Sequence, residues 1–300
     1  MRIKRKQNPP RLCIFCGGTP ISREHVWADW MRPYLPRGQG TQLIQEGRFD
    51  DRSLTVRHGP LHVKGDARSQ KLKVVCETCN NRWMSDLQNS AKPVLLPLLT
   101  RKHGAIARDE RRLLAQWATM FTFVYSTSAP EYTTLKDSQR RAFMADKAPP
   151  QHWLYWCAPF DGLSSPIIHC GIADSKNVGP MSGSDGKGDI PVAHVTFCGA
   201  GGICFAIFGT NVEGGFQPLA QIVTMAVTQA GFVQLWPSDG LYVLPGARRI
   251  SAFQAGDFLA IRDAIFDAVV RAKTAEAKTL RSPDFPRTFE VRTDTATMPL

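Results

Sequence analysis

Residues 13–18 read Cys-Ile-Phe-Cys-Gly-Gly and residues 76–81 read Cys-Glu-Thr-Cys-Asn-Asn, so two C-x-x-C pairs stand 59 residues apart. Four thiolates supplied this way close a tetrahedron around zinc, the geometry of a structural site with no position left open for chemistry. Gly17 and Gly18 permit the tight turn that a thiolate knuckle needs. A redox C-x-x-C needs only one pair, in a thioredoxin-like βαβ setting that is absent here. The spacing therefore predicts one structural Zn2+ on Cys13, Cys16, Cys76 and Cys79, stapling a small module around the residues between them.

Closing that tetrahedron draws Glu24-His25, shortly after the first pair, toward Asn80-Asn81, directly after the second. A carboxylate and an amide oxygen can hold a hard divalent cation, while a neutral imidazole takes a proton from water. This is the equipment of a one-metal nuclease, with Glu24 and Asn80 on Mg2+ or Mn2+ and His25 as general base. A plainer reading remains open, in which His25 is a satisfied, partly buried histidine and Asn80 a helix N-cap.

The strings CIFCGG (13–18), ISREHVWADW (21–30) and VVCETCNNRWMSDL (74–87) resemble the HNH endonuclease family, in the form that carries a C-x-x-C on either side of the motif. The resemblance covers residues 13 to about 90. It implies a ββα-metal fold in which a β-hairpin carries the base and a helix carries a metal ligand. By position, His25 matches the base, Glu24 the acidic ligand before it, and Asn80 the His or Asn after the second pair. Two positions depart from the pattern. Ser69 and Gln70 stand where the family has a central Asn that orients the histidine through its backbone. One turn past Asn80 come Trp83 and Met84, which offer no oxygen, leaving Asp86 and Gln88 as substitutes.

Charge is concentrated in the same third of the chain. The formal net charge is +11, and residues 1–112 hold 22 Lys and Arg against 10 Asp and Glu, while the remainder holds 15 against 16. A basic surface confined to one region is the footprint of a protein that meets a polyanion, although a merely solvated face gives the same count. Arg82, Arg23, Arg68, Lys71 and Lys73 are candidate phosphate contacts, Arg82 foremost because it opens the helix that carries Asn80. Trp27, Trp30 and Trp83 read as core of the small module before they read as stacking platforms for bases. The expected partner is double-stranded DNA. A zinc-stabilised DNA-binding protein without turnover and an RNA-cleaving nuclease are the alternatives.

At 300 residues with 43% hydrophobic content, the chain has enough apolar material for a substantial core. It lacks a secretory signal pattern and an apolar run long enough for a membrane span, which points to a cytoplasmic protein with reduced thiols. The remaining cysteines, Cys157, Cys170, Cys198 and Cys204, lie among Trp, Ile, Phe and Val and read as small buried hydrophobes.

The pattern predicts an α+β protein: a nuclease module over residues 1–108 and a larger C-terminal α+β domain with an antiparallel sheet over 109–300. Weak alternation over 41–64 suggests one or two strands. Helices are expected at 83–98 with a break near Pro93, 109–127, 138–145, 218–228 and 255–277. Short aromatic and β-branched runs at 153–158, 167–173, 192–197, 203–208 and 232–236 read as strands. The Gly- and Ser-rich stretch 174–191 reads as a surface loop and the tail after Arg281 as unstructured. The C-terminal part could form a homodimer or bind a partner subunit.

Overall fold

The computed structural model describes residues 11–37, 42–49, 53–58, 66–102, 104–128, 135–160, 163, 165–174, 191–210, 216–238, 242–243, 255–279 and 290–293. After the first cysteine pair comes β1 (Ile21–His25), then a 3-10 segment over Asp29–Tyr34, β2 (Gln42–Phe49) and β3 (Ser53–His58). The next strand, β4 (Lys71–Cys76), returns to pair antiparallel with β1, setting Ile21 opposite Cys76 and His25 opposite Lys71. Its last residue caps α1 (Glu77–Cys79), which runs through a π-turn at Asn80–Met84 into α2 (Ser85–Leu99). The second C-x-x-C thus leads directly into a helix, as its sequence predicts.

That helix corrects one expectation. It continues through Pro93 and Pro97, and the irregular residue is Arg82, with φ −110° and ψ −108°. Both prolines lie on the exposed side, where water can take the carbonyls that a missing N–H leaves open.

The chain then forms β5 (Ala105–Ile106), α3 (Arg108–Tyr125), α4 (Asp137–Asp146), β6 (Trp153–Pro159), β7 (Ile167–Asp174), β8 (Pro191–Ala200) and β9 (Ile203–Thr210). It ends with α5 (Phe216–Gln229), β10 (Val233–Trp236), β11 (Tyr242–Val243), α6 (Ala255–Thr279) and β12 (Glu290–Thr293). These ranges bear out the α+β class. Five strands in the order β10-β6-β9-β8-β7 make an antiparallel sheet, and β2, β3 and β12 extend it to eight. The joins are mixed: β2 lies parallel to β7 and antiparallel to β3, and β12 lies parallel to β3. The tail is therefore not wholly irregular, because residues 290–293 supply a strand to an edge whose backbone groups otherwise lack partners. The predicted loop over 174–191 lies, apart from its ends, outside the described residues.

Position 108 coincides with the start of α3, and the core runs across it. Trp117 meets Phe205 of the sheet at 5.7 Å between ring centroids, while Phe121 meets Trp27 of the cysteine module at 4.8 Å. Nearly every residue from Leu114 to Tyr125 is buried, as expected of a helix with neighbours on both sides. The far face of the sheet packs α5 and α6, with Phe258 within 6 Å of both Phe160 and Phe197. Cys157, Cys170, Cys198 and Cys204 are fully buried in the sheet.

The turn between β8 and β9 docks on the end of α2. Gly202 N–H donates to the Leu99 carbonyl at 2.9 Å, capping the helix. A Cβ on Gly201, whose φ is +53°, would lie 2.6 Å from that same oxygen. Among the described residues, no helix is long and apolar enough to cross a membrane.

Candidate metal centre and the face beside it

The sulfur atoms of Cys13, Cys16, Cys76 and Cys79 all lie within 4.8 Å of one another, with Cys16 Sγ 3.5 Å from Cys76 Sγ. A tetrahedral zinc with bonds of about 2.3 Å sets its sulfurs roughly 3.8 Å apart, so the donor set and spacing fit a structural ion such as zinc. Backbone N–H groups donate to two of the sulfurs. Gly18 N–H points to Cys16 Sγ at 3.3 Å and Cys79 N–H to Cys76 Sγ at 3.4 Å. Gly17 turns the knuckle at φ +71°. Burial pushes the Cys79 thiol well up, as do Cys16 and Cys76 beside it.

The cluster brings Glu24, Asn80 and Gln88 together. Glu24 is 6% exposed and faces the helix, accepting a hydrogen bond from Gln88 Nε2 at 3.2 Å. Asn80 Nδ2 donates to Ser22 Oγ at 3.1 Å and also bonds the Glu24 carboxyl. Burial pushes that carboxyl up to about 7, against the opposing pull of Asn80, Gln88 and Lys71. Of the two substitutes suggested for the second ligand, Gln88 converges on Glu24 while Asp86 is exposed to solvent. Met84, between Asn80 and Gln88, is completely buried. A cavity of about 10 Å³ lies here, walled by Glu24, His25, Gln88 and Met84 and closed by Trp117 and Phe121 from α3. It is the size of a single water.

A divalent cation requires oxygen donors, and the amide nitrogens of Asn80 and Gln88 are turned to Ser22 Oγ and to the Glu24 carboxylate respectively. A half-turn of either amide exchanges its nitrogen and oxygen in nearly the same place. The three side chains therefore fit a hard cation in kind, one carboxylate with two neutral oxygens, once the amides rotate.

His25 stands at the end of β1 with its side chain 19% exposed and Nε2 3.4 Å from Asp29 Oδ1. Burial and nearby Lys71 hold its pKa below the ordinary value, with Asp29 opposing. The carbonyl of Gln70 accepts from Val26 N–H at 3.0 Å and so fixes the backbone next to the imidazole. His25 sits opposite Lys71, Lys73 lies two residues further along β4, and Arg23 stands two residues before His25 at a register irregularity of the pair. Arg23, Lys71 and Lys73 are all exposed.

Arg82 is exposed at the π-turn. Arg68 is occupied otherwise, bonding both carboxylate oxygens of Asp66 through its Nε at 3.0 and 2.8 Å. Trp27 is buried, and Trp30 and Trp83 pack partly buried against the same core. Sequence reasoning missed the role of Gln70, whose contribution is a main-chain oxygen and leaves no side-chain signal. No known protein family, curated protein or solved structure matches the chain.

Proposed function

We propose that the chain is a metal-dependent endonuclease of the HNH type that hydrolyses phosphodiester bonds of DNA. The observation that carries this reading is the strand pair on which His25 lies opposite Lys71, with Arg23 and Lys73 exposed on the same two strands, joined by the thiol cluster to the helix of Asn80. In this reading Cys13, Cys16, Cys76 and Cys79 hold zinc and perform no chemistry. The three cations and Arg82 hold the phosphate backbone in a salt-dependent, sequence-independent manner. His25, half-buried and held largely neutral, accepts the proton of the attacking water. Gln70 positions the imidazole through the backbone, the part that the missing Asn plays in the family pattern. Glu24 and Asn80 would hold the Mg2+ or Mn2+, with Gln88 as a third oxygen. The bound cation would offset the charge that develops on the phosphoryl and leaving oxygens.

A second reading rests on the same cluster. Glu24 already has two amide donors and little exposure, which favours a clasp between strand and helix in a DNA-binding module without turnover. The test is cleavage of supercoiled plasmid, and of RNA in parallel, by protein stripped of loosely held metal and resupplied with Mg2+ or Mn2+. Metal-dependent nicking that disappears in His25→Ala while DNA affinity persists supports the nuclease. Intact DNA affinity without cleavage under any metal supports the binding module.

A further inference from the structure

The four residues of the thiol cluster do not share one environment. Cys13, Cys76 and Cys79 are buried, whereas Cys16 is exposed. The chain beside Cys16 is bare. Gly17 turns at φ +71°, and a Cβ added there would meet nothing within 4 Å. A Cβ on Gly18 would lie 3.1 Å from Cys16 Sγ and 3.9 Å from Cys76 Sγ. These two sulfurs therefore sit side by side next to a residue that has no side chain.

Cys16 and Cys76 belong to different C-x-x-C pairs, and their Sγ atoms stand 3.5 Å apart. A disulfide brings such atoms to about 2.05 Å, a short closure for a knuckle with two glycines after Cys16. Cys76 is also a junction. It ends β4 opposite Ile21 of β1, and its Sγ accepts from Cys79 N–H at the start of the helix that carries Asn80. A change at that sulfur reaches both the strand pair and the helix start. Cys157, Cys170, Cys198 and Cys204 are completely buried in the sheet, away from any oxidant dissolved in water.

We propose that Cys16 and Cys76 are a peroxide-sensitive pair that closes to a disulfide, empties the cluster and frees the β1–β4 strands. The inference rests on the reading that the four thiolates hold zinc, and it does not depend on the nuclease reading. A coordinated thiol has already lost its proton, which leaves the exposed Cys16 sulfur a nucleophile. That sulfur attacks one oxygen of hydrogen peroxide and breaks the O–O bond, becoming a sulfenic acid as hydroxide leaves. The Cys76 thiolate then attacks the Cys16 sulfur, forming the S–S bond and expelling a second hydroxide. Two protons from solvent turn both hydroxides into water. The two sulfurs have then given two electrons to the peroxide. Cys13 and Cys79 remain, too few donors for a closed tetrahedral site.

The full chain is freed of reductant, assayed for zinc, and treated with rising hydrogen peroxide. A coloured zinc indicator follows release, and intact mass and peptide mapping without reduction follow the sulfurs. Wild type is expected to release its zinc as its mass falls by two hydrogens, with the Cys16 peptide joined to the Cys76 peptide. The four sheet cysteines are expected to stay unmodified at that dose, and a thiol reductant with added zinc to restore the starting state. Cys16→His keeps a ligand that zinc accepts while removing the exposed sulfur. It is expected to hold zinc several-fold longer at the same dose, and the mapping of wild type carries the test if this variant binds no metal. Zinc retained at doses that already modify the sheet cysteines overturns the proposal and leaves the zinc reading standing. So does release with a disulfide inside one C-x-x-C pair, or with Cys16 driven to sulfinic acid and no disulfide. Protein that carries no zinc before peroxide is added overturns the zinc reading and the switch with it.

Discussion

The cysteine module and the eight-stranded sheet are held together by different physics, although α3 touches both. The sheet has two packed faces, and its central strands are apolar on each, with every residue of β9 from Ile203 to Thr210 buried. The β1–β4 pair is two strands wide, exposes Arg23, Lys71 and Lys73, and is pinned at one end by four sulfurs. A two-stranded ribbon is marginal by itself. The difference teaches that the proposed chemistry sits on the part of the fold whose geometry would depend on coordination by the four cysteines, while bulk stability sits elsewhere.

The largest expected effect separates the two parts. Removing zinc with a strong chelator, or making Cys76→Ser, should release the β1–β4 pair and the start of the helix, since structural zinc is worth on the order of 10 kcal/mol to its module. Hydrogen exchange should then rise at Ile21–His25 and Lys71–Asn80 and stay slow in β8 and β9. Equal loss of protection in both regions would show one cooperative unit.

The reverse experiment is Phe258→Ala. This fully buried ring in the layer beyond the sheet should cost about 3–5 kcal/mol, read as a lower denaturation midpoint, with zinc content unchanged by metal analysis.

Glu24→Gln gives a subtler contrast. The Glu24 carboxyl titrates near 7 in the fold and in the ordinary carboxylate range when unfolded, so between those values the folded chain binds more protons. Its contribution is present at acid pH and lost as pH rises through about 7, roughly 3 kcal/mol at most by linkage. The melting temperature of Glu24→Gln should therefore climb relative to wild type between pH 5 and pH 8. A constant difference across that span would place the carboxyl in a wetter setting. The smallest effect belongs to Lys71→Ala and Lys73→Ala, each expected to leave melting unchanged and to reduce the salt slope of DNA binding by about one.

Much of this arrangement was legible in the residues, and the gaps have physical causes. C-x-x-C spacing announces itself because coordination geometry tolerates few alternatives. Local periodicity located α3 and α6 nearly to their ends. Register was different: Gln42 lies beside Ile167 and Ser53 beside Glu290, and nothing in a short window identifies a partner so far along the chain. Glu24-His25 was recognised as a pair, but strand alternation gives the two opposite surroundings. The hint that Glu24 turns inward was Gln88, two helical turns beyond Asn80.

The placement of β2 and β3 between the two cysteine pairs has a consequence for how the chain acquires its shape during synthesis. The four ligands and both strands of the ribbon have been made by residue 79, so the metal can be captured while the rest is still being translated. The intervening hairpin must then wait with β2 unpaired on one side until β7 arrives and β3 until β12 does. Contacts so distant in sequence are slow to form, and waiting strand edges invite the wrong neighbours. Early capture of a metal by the four cysteines would shorten the search by holding both ends of that loop, and a shortage of metal at that moment would leave its strand edges open to the wrong neighbours.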